Sequence, residues 1–373
     1  MIYFDAGATT LQTPERVRRA MYRAAAAMSS PGRGSYPATR LAEETDFRCR
    51  SLAAALFDVE DPACVVFTSS ATHGLNIAIK TLVKPGCRVV ISGYEHNAVT
   101  RPLHGIPNVE LTVIDAPLFR PESMLAEFEQ ALDAGADAVI CTHVSNVFGY
   151  RLPAEDIAAL CRRRGVPFVL DASQSAGMLP VSMRELGAAF IAMPGHKGLY
   201  GPQGTGLLLC AAEAEPLLFG GTGSQSRRQE MPQELPDRLE AGTHNMPGIA
   251  GLLEGLRFVA EKGIDRIAGH ERRLAMRAEE QLRGIDGVEL FCEKGFDHQT
   301  GVLSFRAAGR DCEELGERLA AQGAAVRAGL HCAPLAHRTA GTLQTGTVRV
   351  SMSVFNTPQE VDRFTAMVRA AVR

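Results

Sequence analysis

Seven short apolar runs, separated by helix-length segments between about residues 50 and 210, predict an α/β protein. Its large unit should be built on a mainly parallel seven-stranded sheet. The texture changes after Pro247-Gly248, where helices alternate with fewer strands, which predicts a small α+β unit in the C-terminal third. Length agrees with this, because 373 residues suffice for about two domains of roughly 150 residues each.

In chain order, Thr13-Pro14-Glu15 is expected to open an early helix by capping-box chemistry, and Ser30-Pro31-Gly32-Arg33-Gly34 to end it in a turn. Strand-like runs follow at 64–67, 88–91, 109–113, 138–141, 168–170, 190–192 and 206–209. Most are continuously apolar, as expected of strands covered on both faces. After the first run, Leu75, Ala78, Ile79 and Leu82 repeat at helical spacing. A long helix is expected over 249–263, and strands over 301–305 and 347–351. In the last helix, Thr357 is the N-cap, Pro358 takes the first helical position and Glu360 completes a capping box.

Lys+Arg 39 against Asp+Glu 42 leaves a net charge of −3, which makes no electrostatic case for nucleic acid or an anionic membrane. Met1-Ile2-Tyr3-Phe4-Asp5 shows no basic stretch leading into an apolar core. Nowhere do about 18 apolar residues run together, so a cytoplasmic protein is expected. The nine cysteines are odd in number and include no C-x-x-C pair, which argues against a disulfide framework and a zinc site. Cys64, Cys87, Cys141 and Cys210 sit in or beside apolar runs and read as small core residues. Cys332 stands apart from them.

One lysine is unusual. Only five of the 39 Lys and Arg residues are lysines, and four of these sit in helix-like or turn-like polar contexts. Lys197 instead follows an apolar run and lies between glycines in Gly195-His196-Lys197-Gly198, with Gly201, Gly204 and Gly206 behind it. A lysine in a tight, glycine-lined pocket loses its charge readily and can form a Schiff base. Asp171 closes the apolar run 167–170 and begins Asp171-Ala172-Ser173-Gln174, where it suits a pyridinium nitrogen. Alone, each would read as a surface lysine and a helix-capping aspartate; in this order they read as a site for pyridoxal 5'-phosphate (PLP).

Other residues fit around that pair. The turn from Phe67 to Gly74, with Ala71 and Thr72, joins a strand to a helix through small residues and offers free N–H groups to a phosphate. It contains no Walker lysine, and no G-x-G-x-x-G follows a strand, so a nucleotide is disfavoured. Glu95-His96-Asn97 follows the next strand, where an imidazole can stack on an aromatic cofactor. Asn146 and Gln174 are uncharged donors at the same sheet edge, suited to a ring oxygen. Arg349, inside the run 347–351, is either an exposed edge-strand residue or a bidentate clamp for a carboxylate.

Together these motifs carry a resemblance. The chain resembles the class V aminotransferase-type, fold type I PLP enzymes, and within them the cysteine desulfurases and selenocysteine lyases. The likeness runs from end to end. It includes Tyr3-Phe4-Asp5-Ala6-Gly7-Ala8-Thr9-Thr10, Glu95-His96-Asn97, His143-Val144-Ser145-Asn146, Asp171-Ala172-Ser173-Gln174 and Gly195-His196-Lys197. It continues through Glu240-Ala241-Gly242-Thr243, Arg327-Ala328-Gly329-Leu330-His331-Cys332-Ala333 and 349–357.

The resemblance implies a large PLP-binding unit over 13–250 and a small α+β unit over 251–373 joined by 1–12. It implies that Lys197 carries the cofactor, Asp171 holds the ring nitrogen, Gln174 and Asn146 flank the ring oxygen, and His96 stacks on the ring. Ala71, Thr72 and His196 would meet the phosphate, and Thr243 would reach the phosphate of a neighbouring subunit in a homodimer. Arg349 would take the substrate carboxylate, with Asn146, with Arg327 or with Arg33 from the partner.

Cys332 lies in a short segment, resembling the nucleophilic cysteine of the group II, sulfur-mobilising desulfurases; His331 and Arg327 would lower its thiol pKa. The chain departs from the family pattern at Ala6, Tyr36, His73 and Pro194. The implied reaction converts L-cysteine to L-alanine and leaves the sulfur on Cys332 for an acceptor protein. Alternatives at this point are a selenocysteine lyase, another aminotransferase or lyase acting on a small amino acid, and a PLP-binding sulfur-relay scaffold.

Overall fold

A computed structural model describes residues 1–32 and 34–372. Its strands are β1 (Ile2–Tyr3), β2 (Val65–Thr68), β3 (Arg88–Ser92), β4 (Glu110–Ile114), β5 (Ala138–Thr142), β6 (Phe168–Asp171) and β7 (Phe190–Pro194). They continue as β8 (Gly206–Cys210), β9 (Val288–Phe291), β10 (Val302–Ala307), β11 (Ala324–Ala325), β12 (Arg327–Gly329) and β13 (Thr347–Ser351). The helices are α1 (Glu15–Ala27), α2 (Pro37–Phe57), α3 (Ala71–Leu82), α4 (Asn97–His104), α5 (Pro121–Asp133) and α6 (Ala154–Arg164). The rest are α7 (Met183–Leu186), α8 (Met246–Lys262), α9 (Ile264–Arg283), α10 (Cys312–Ala321), α11 (Pro334–Thr339) and α12 (Pro358–Val372).

All seven expected runs form the large sheet, in the order β2-β8-β7-β6-β5-β3-β4. Only β8 is reversed, pairing antiparallel with β2 and β7. Every residue of β5, β6, β7 and β8 is buried, which is why these segments read as unbroken apolar runs. The edge strand β4 instead exposes Glu110 and Thr112. One face of the sheet packs Val139, Leu170 and Ile191 against Phe128, Ile157 and Leu252. The other packs Ile140, Val169 and Leu208 against Leu75, Ile79 and Val99.

A second, four-stranded antiparallel sheet has the order β12-β13-β10-β9. Its core joins Phe305 and Val348 to Leu274, Leu319 and Phe364. The N-terminal β1 pairs in parallel with β11, and Phe4 meets Phe364 edge-on at 5.3 Å, so the first residues belong to this core. The expected boundary between 250 and 251 falls inside α8, whose Ile249, Leu252, Leu253 and Leu256 all join the large core. We propose that the two units divide after α8, near Gly263. Among the described residues, no helix is long and apolar enough to cross a membrane.

The capping box of α12 forms as expected. Glu360 N donates to Thr357 Oγ1 at 3.3 Å, and Thr357 N to Glu360 Oε2 at 2.9 Å. The early helix differs: it starts at Glu15, with Pro14 at the cap position and no side-chain cap bond. The spacing explains this, because a box needs the acidic residue three positions after the Thr and Glu15 is only two after Thr13. Thr357→Ala should therefore cost roughly 1 kcal/mol in urea unfolding, whereas Thr13→Ala should cost far less. Equal losses would contradict the capping assignment.

Candidate active site

The parallel strands end at one edge, and the segments that leave it carry the polar residues. Past β2, Ser70 caps α3 by accepting from His73 N at 3.2 Å, which leaves the helix's first amides open at Ala71 and Thr72. His96 caps α4, its Nδ1 accepting from Ala98 N at 3.0 Å. A neutral ring there carries its proton on Nε2. Asn146 follows β5, Asp171 ends β6 with Gln174 just beyond, and His196 and Lys197 follow β7.

These residues share a cavity of about 210 Å³ lined by Ser70, Ala71, Thr72, His96, Asn146, Asp171, Gln174, His196 and Lys197. A larger cavity of about 380 Å³ contains Thr243, Glu240, His244 and His73 but neither Lys197 nor Asp171. Thr243 therefore does not join the cluster within its own chain.

Lys197 opens onto the cavity while protein surrounds its ammonium, and this burial pulls its pKa down to about 8. Asp171 opposes the shift and Arg349 adds to it. Asp171 itself is buried and accepts from Ser173 N at 2.9 Å through Oδ1. Burial also lowers His96, against the pull of Asp171. His196 falls to about 4, through burial first and the charge of Lys197 second, and its Nδ1 lies 3.0 Å from Thr9 Oγ1.

The two amide side chains are partly committed. Asn146 Nδ2 donates to His331 O at 2.8 Å and Gln174 Nε2 to Gly7 O at 2.9 Å, so each keeps one N–H free. Asn146 Oδ1 is buried without a partner.

Arg349 is fully inside, not on an exposed edge. Its Nη2 donates to Asp5 Oδ1 at 2.8 Å and its Nη1 to Asn146 O at 2.9 Å, while Nε has no partner. Burial lowers the guanidinium pKa and Asp5 offsets that. Arg327 lies opposite Arg349 across the β12–β13 ladder and donates to the other Asp5 oxygen at 2.7 Å. Its side chain is 49% exposed. Arg33 lies outside the described residues.

Cys332 is exposed, and Arg327 lies within electrostatic reach of it. The expected help from His331 is absent. That ring is buried against Thr347, 3.1 Å from its Oγ1, and burial drives its pKa to about 2. A neutral imidazole lends no charge to a thiolate. It faces into the core because His331 and Cys332 both take left-handed backbone conformations, with φ of 50° and 56°.

Among the described residues, four buried acids went unassigned in the sequence: Asp5, Glu95, Glu240 and Glu271. Asp5 holds both arginines. Glu95 accepts from Ser92 Oγ at 2.5 Å and Thr142 N at 2.7 Å, and burial raises it to about 8. Glu271 is raised to about 8 in the same way. Asp5 and Glu95 stood inside quoted motifs, but only the tertiary structure shows what they touch. Glu271 had no local signal.

The class-V aminotransferase profile matches residues 2–364. The chain belongs to the class-V aminotransferase family. This is a family of PLP-dependent enzymes.

A "Probable cysteine desulfurase" of Pyrococcus abyssi is 32% identical, with 100% of this chain and 94% of that protein covered. A protein of the same description from Mycolicibacterium paratuberculosis is 33% identical over 99% of this chain. The chain spans 55% of that relative's length and 62% of a similar one from Mycobacterium leprae. The apo cysteine desulfurase of Thermococcus onnurineus superposes with a TM-score of 0.92 at 31% identity, covering 100% of this chain and 94% of that one. An Escherichia coli cysteine desulfurase gives 0.86 at 26% identity, covering 99% and 94%. The class-V fold is thus the fold of the whole chain.

Burial penalises the Lys197 ammonium, so its charge should be lost as pH rises through about 8, where an ordinary lysine stays protonated. Acylation of Lys197 in the cofactor-free protein, followed by residue-resolved mass spectrometry, should show a midpoint near 8. Asp171→Ala removes the opposing carboxylate and should lower that midpoint further. A midpoint at the ordinary lysine value would contradict the buried assignment.

Proposed function

We propose that this chain is a PLP-dependent cysteine desulfurase that converts L-cysteine to L-alanine and passes the sulfur to Cys332. The observation that carries this reading is an exposed Cys332 within electrostatic reach of Arg327, with its backbone bonded to the segment that holds His96. Generic transamination has no use for a thiol there. The names of the similar proteins agree with it.

The residues present fit the cofactor. Open amides of α3 at Ala71 and Thr72 suit a phosphate, and the low pKa of His196 makes it a neutral partner there. Asp171, in the same cavity lining, suits a protonated ring nitrogen, while Asn146 and Gln174 keep N–H groups for the ring oxygen. His96 would lie against the ring. PLP, once bound, supplies an electron sink for negative charge at the substrate Cα.

The chain's own groups do the rest. Lys197, poised near neutrality, accepts the Cα proton and later returns one. Arg349 and Arg327 take the substrate carboxylate, with the Asn146 carbonyl fixing Arg349. The Cys332 thiolate attacks the substrate sulfur. A sulfur–sulfur bond forms, the Cβ–S bond breaks, and its electron pair stays with carbon. Protonation of that carbon completes the alanine methyl group, and Cys332 keeps the sulfur as a persulfide.

The exposure of Cys332 suits delivery to an acceptor protein. The same proposal includes a homodimer in which Thr243 faces the partner's cofactor phosphate, and a cytoplasmic location. Exposed Leu218 and Phe219 near the Thr243 cavity support the dimer.

Cys332→Ala should still bind PLP and change its absorbance with L-cysteine, while alanine formation falls at least a hundredfold. Selenocysteine, whose selenium leaves without thiol attack, should still turn over. Alanine from cysteine at the unmodified rate would sink the desulfurase reading. Borohydride reduction of the loaded protein should fix the label on Lys197, and any other lysine would overturn its role. Thr243→Ala should weaken PLP retention on ultrafiltration, and a monomer that holds full cofactor would refute the shared site.

A further inference from the structure

Cys332 sits on an unusual piece of backbone. His331 and Cys332 are consecutive residues in the left-handed region, φ 50° and 56°, which side chains other than glycine adopt at a cost. Such a pair persists only where its surroundings hold it. Two hydrogen bonds from the large unit do so. Asn146 Nδ2 donates to His331 O at 2.8 Å, and the backbone N–H of Asn97 donates to Cys332 O at 2.8 Å. The buried His331 ring adds an anchor on Thr347.

The second bond is the informative one. Asn97 is the first residue of α4, and His96 is its N-cap. The Asn97 N–H is among the helix's first amides, which have no partner inside the helix. It is spent on the carbonyl of the cysteine. The helix that presents His96 to the Lys197 cavity therefore also holds the residue that carries the thiol.

We propose that the Asn97 amide is a positioning group for the nucleophile. It ties Cys332 to the start of α4, so the thiol keeps a fixed place relative to His96 and the cavity, and the left-handed pair at 331–332 is held in register. A short segment tied at both carbonyls needs no long mobile loop to bring its sulfur to the substrate. This inference rests on Cys332 being the sulfur acceptor.

A substitution can break this bond and keep the helix: at position 97 a proline Cδ takes the place of the N–H and pushes the Cys332 carbonyl away. Proline lacks the N–H, is favoured at the first helical position, and requires an extended residue before it. His96, at φ −78° and ψ 157°, already meets that requirement. Asn97→Pro should thus delete the tether and keep α4, while Asn97→Ala keeps the tether and deletes only the side chain. Both PLP-loaded variants should bind L-cysteine with the same absorbance change.

In single turnover, Asn97→Pro should form the Cys332 persulfide about tenfold more slowly than Asn97→Ala, the worth of one hydrogen bond. Its KM for L-cysteine should be unchanged, whereas general disruption of the site would move both. Equal persulfide rates in the two variants would overturn the tether. If Cys332→Ala makes alanine at the unmodified rate and no persulfide forms on Cys332 in either Asn97 variant, the desulfurase reading fails, and the tether falls with it. Should Asn97→Pro not fold, hydrogen exchange of the unmodified protein decides. The Asn97 amide should be protected, and exchange at the rate of an open amide would refute the proposal.

Discussion

Six of the seven central strands run the same way, and that shared direction is what assembles the site. Each strand releases its following segment at one edge, where the main chain turns and side chains are free of the ladder. Thr72, His96, Asn146, Asp171, Gln174 and Lys197 are spread over about a third of the chain, yet they line one cavity for this reason alone. The reversed β8 closes the sheet between β2 and β7 and carries none of these residues. Burial of the strands on both faces makes the edge rigid, which a site assembled from several connections requires.

Charge balance is the second constraint. Lys197 and Arg349 are two cations in a low-dielectric interior; Arg349 helps to lower the pKa of Lys197, and Arg327 helps to lower that of Arg349. Asp171 and Asp5 answer them. Asp5 does more than neutralise: its carboxylate accepts from both guanidinium groups, and Arg349 also grips the Asn146 carbonyl. The N-terminal strand, the small sheet and the cavity wall are thereby joined at one carboxylate. Gly7 lets the chain pass close by, since a Cβ there would lie 3.4 Å from the Arg349 Cζ and 3.2 Å from Ser351 Oγ. In the proposed reaction, a substrate carboxylate would meet arginines already arranged around the carboxylate of Asp5.

The thiol is held by different means. His331 next to it is neutral and buried, so charge near Cys332 comes from the half-exposed Arg327. Position comes from backbone geometry and from bonds that Asn97 and Asn146 make to main-chain carbonyls. Electrostatics and positioning are thus separate jobs carried by separate residues. A neighbouring histidine in the sequence is a poor guide to which residue does which.

Much of this protein was legible in the sequence because the signals are local. Apolar runs marked all seven large-sheet strands; the inner ones are unbroken, since a strand buried on both faces has no polar side to show, whereas the edge strand β4 alternates. Thr357-Pro358-Gln359-Glu360 carried its own helix start, and the glycine-lined Lys197 and the strand-ending Asp171 were visible by context. What the tertiary structure decided was every matter of long-range contact. Asp5 meets Arg349 across 344 residues, and no spacing rule spans that. Glu271 gains its raised pKa only from the bodies packed around it. The ring of His331 was free to point either way until two left-handed residues turned it inward. Local chemistry is written in neighbouring residues, whereas burial, pairing and side-chain direction exist only once distant segments have met.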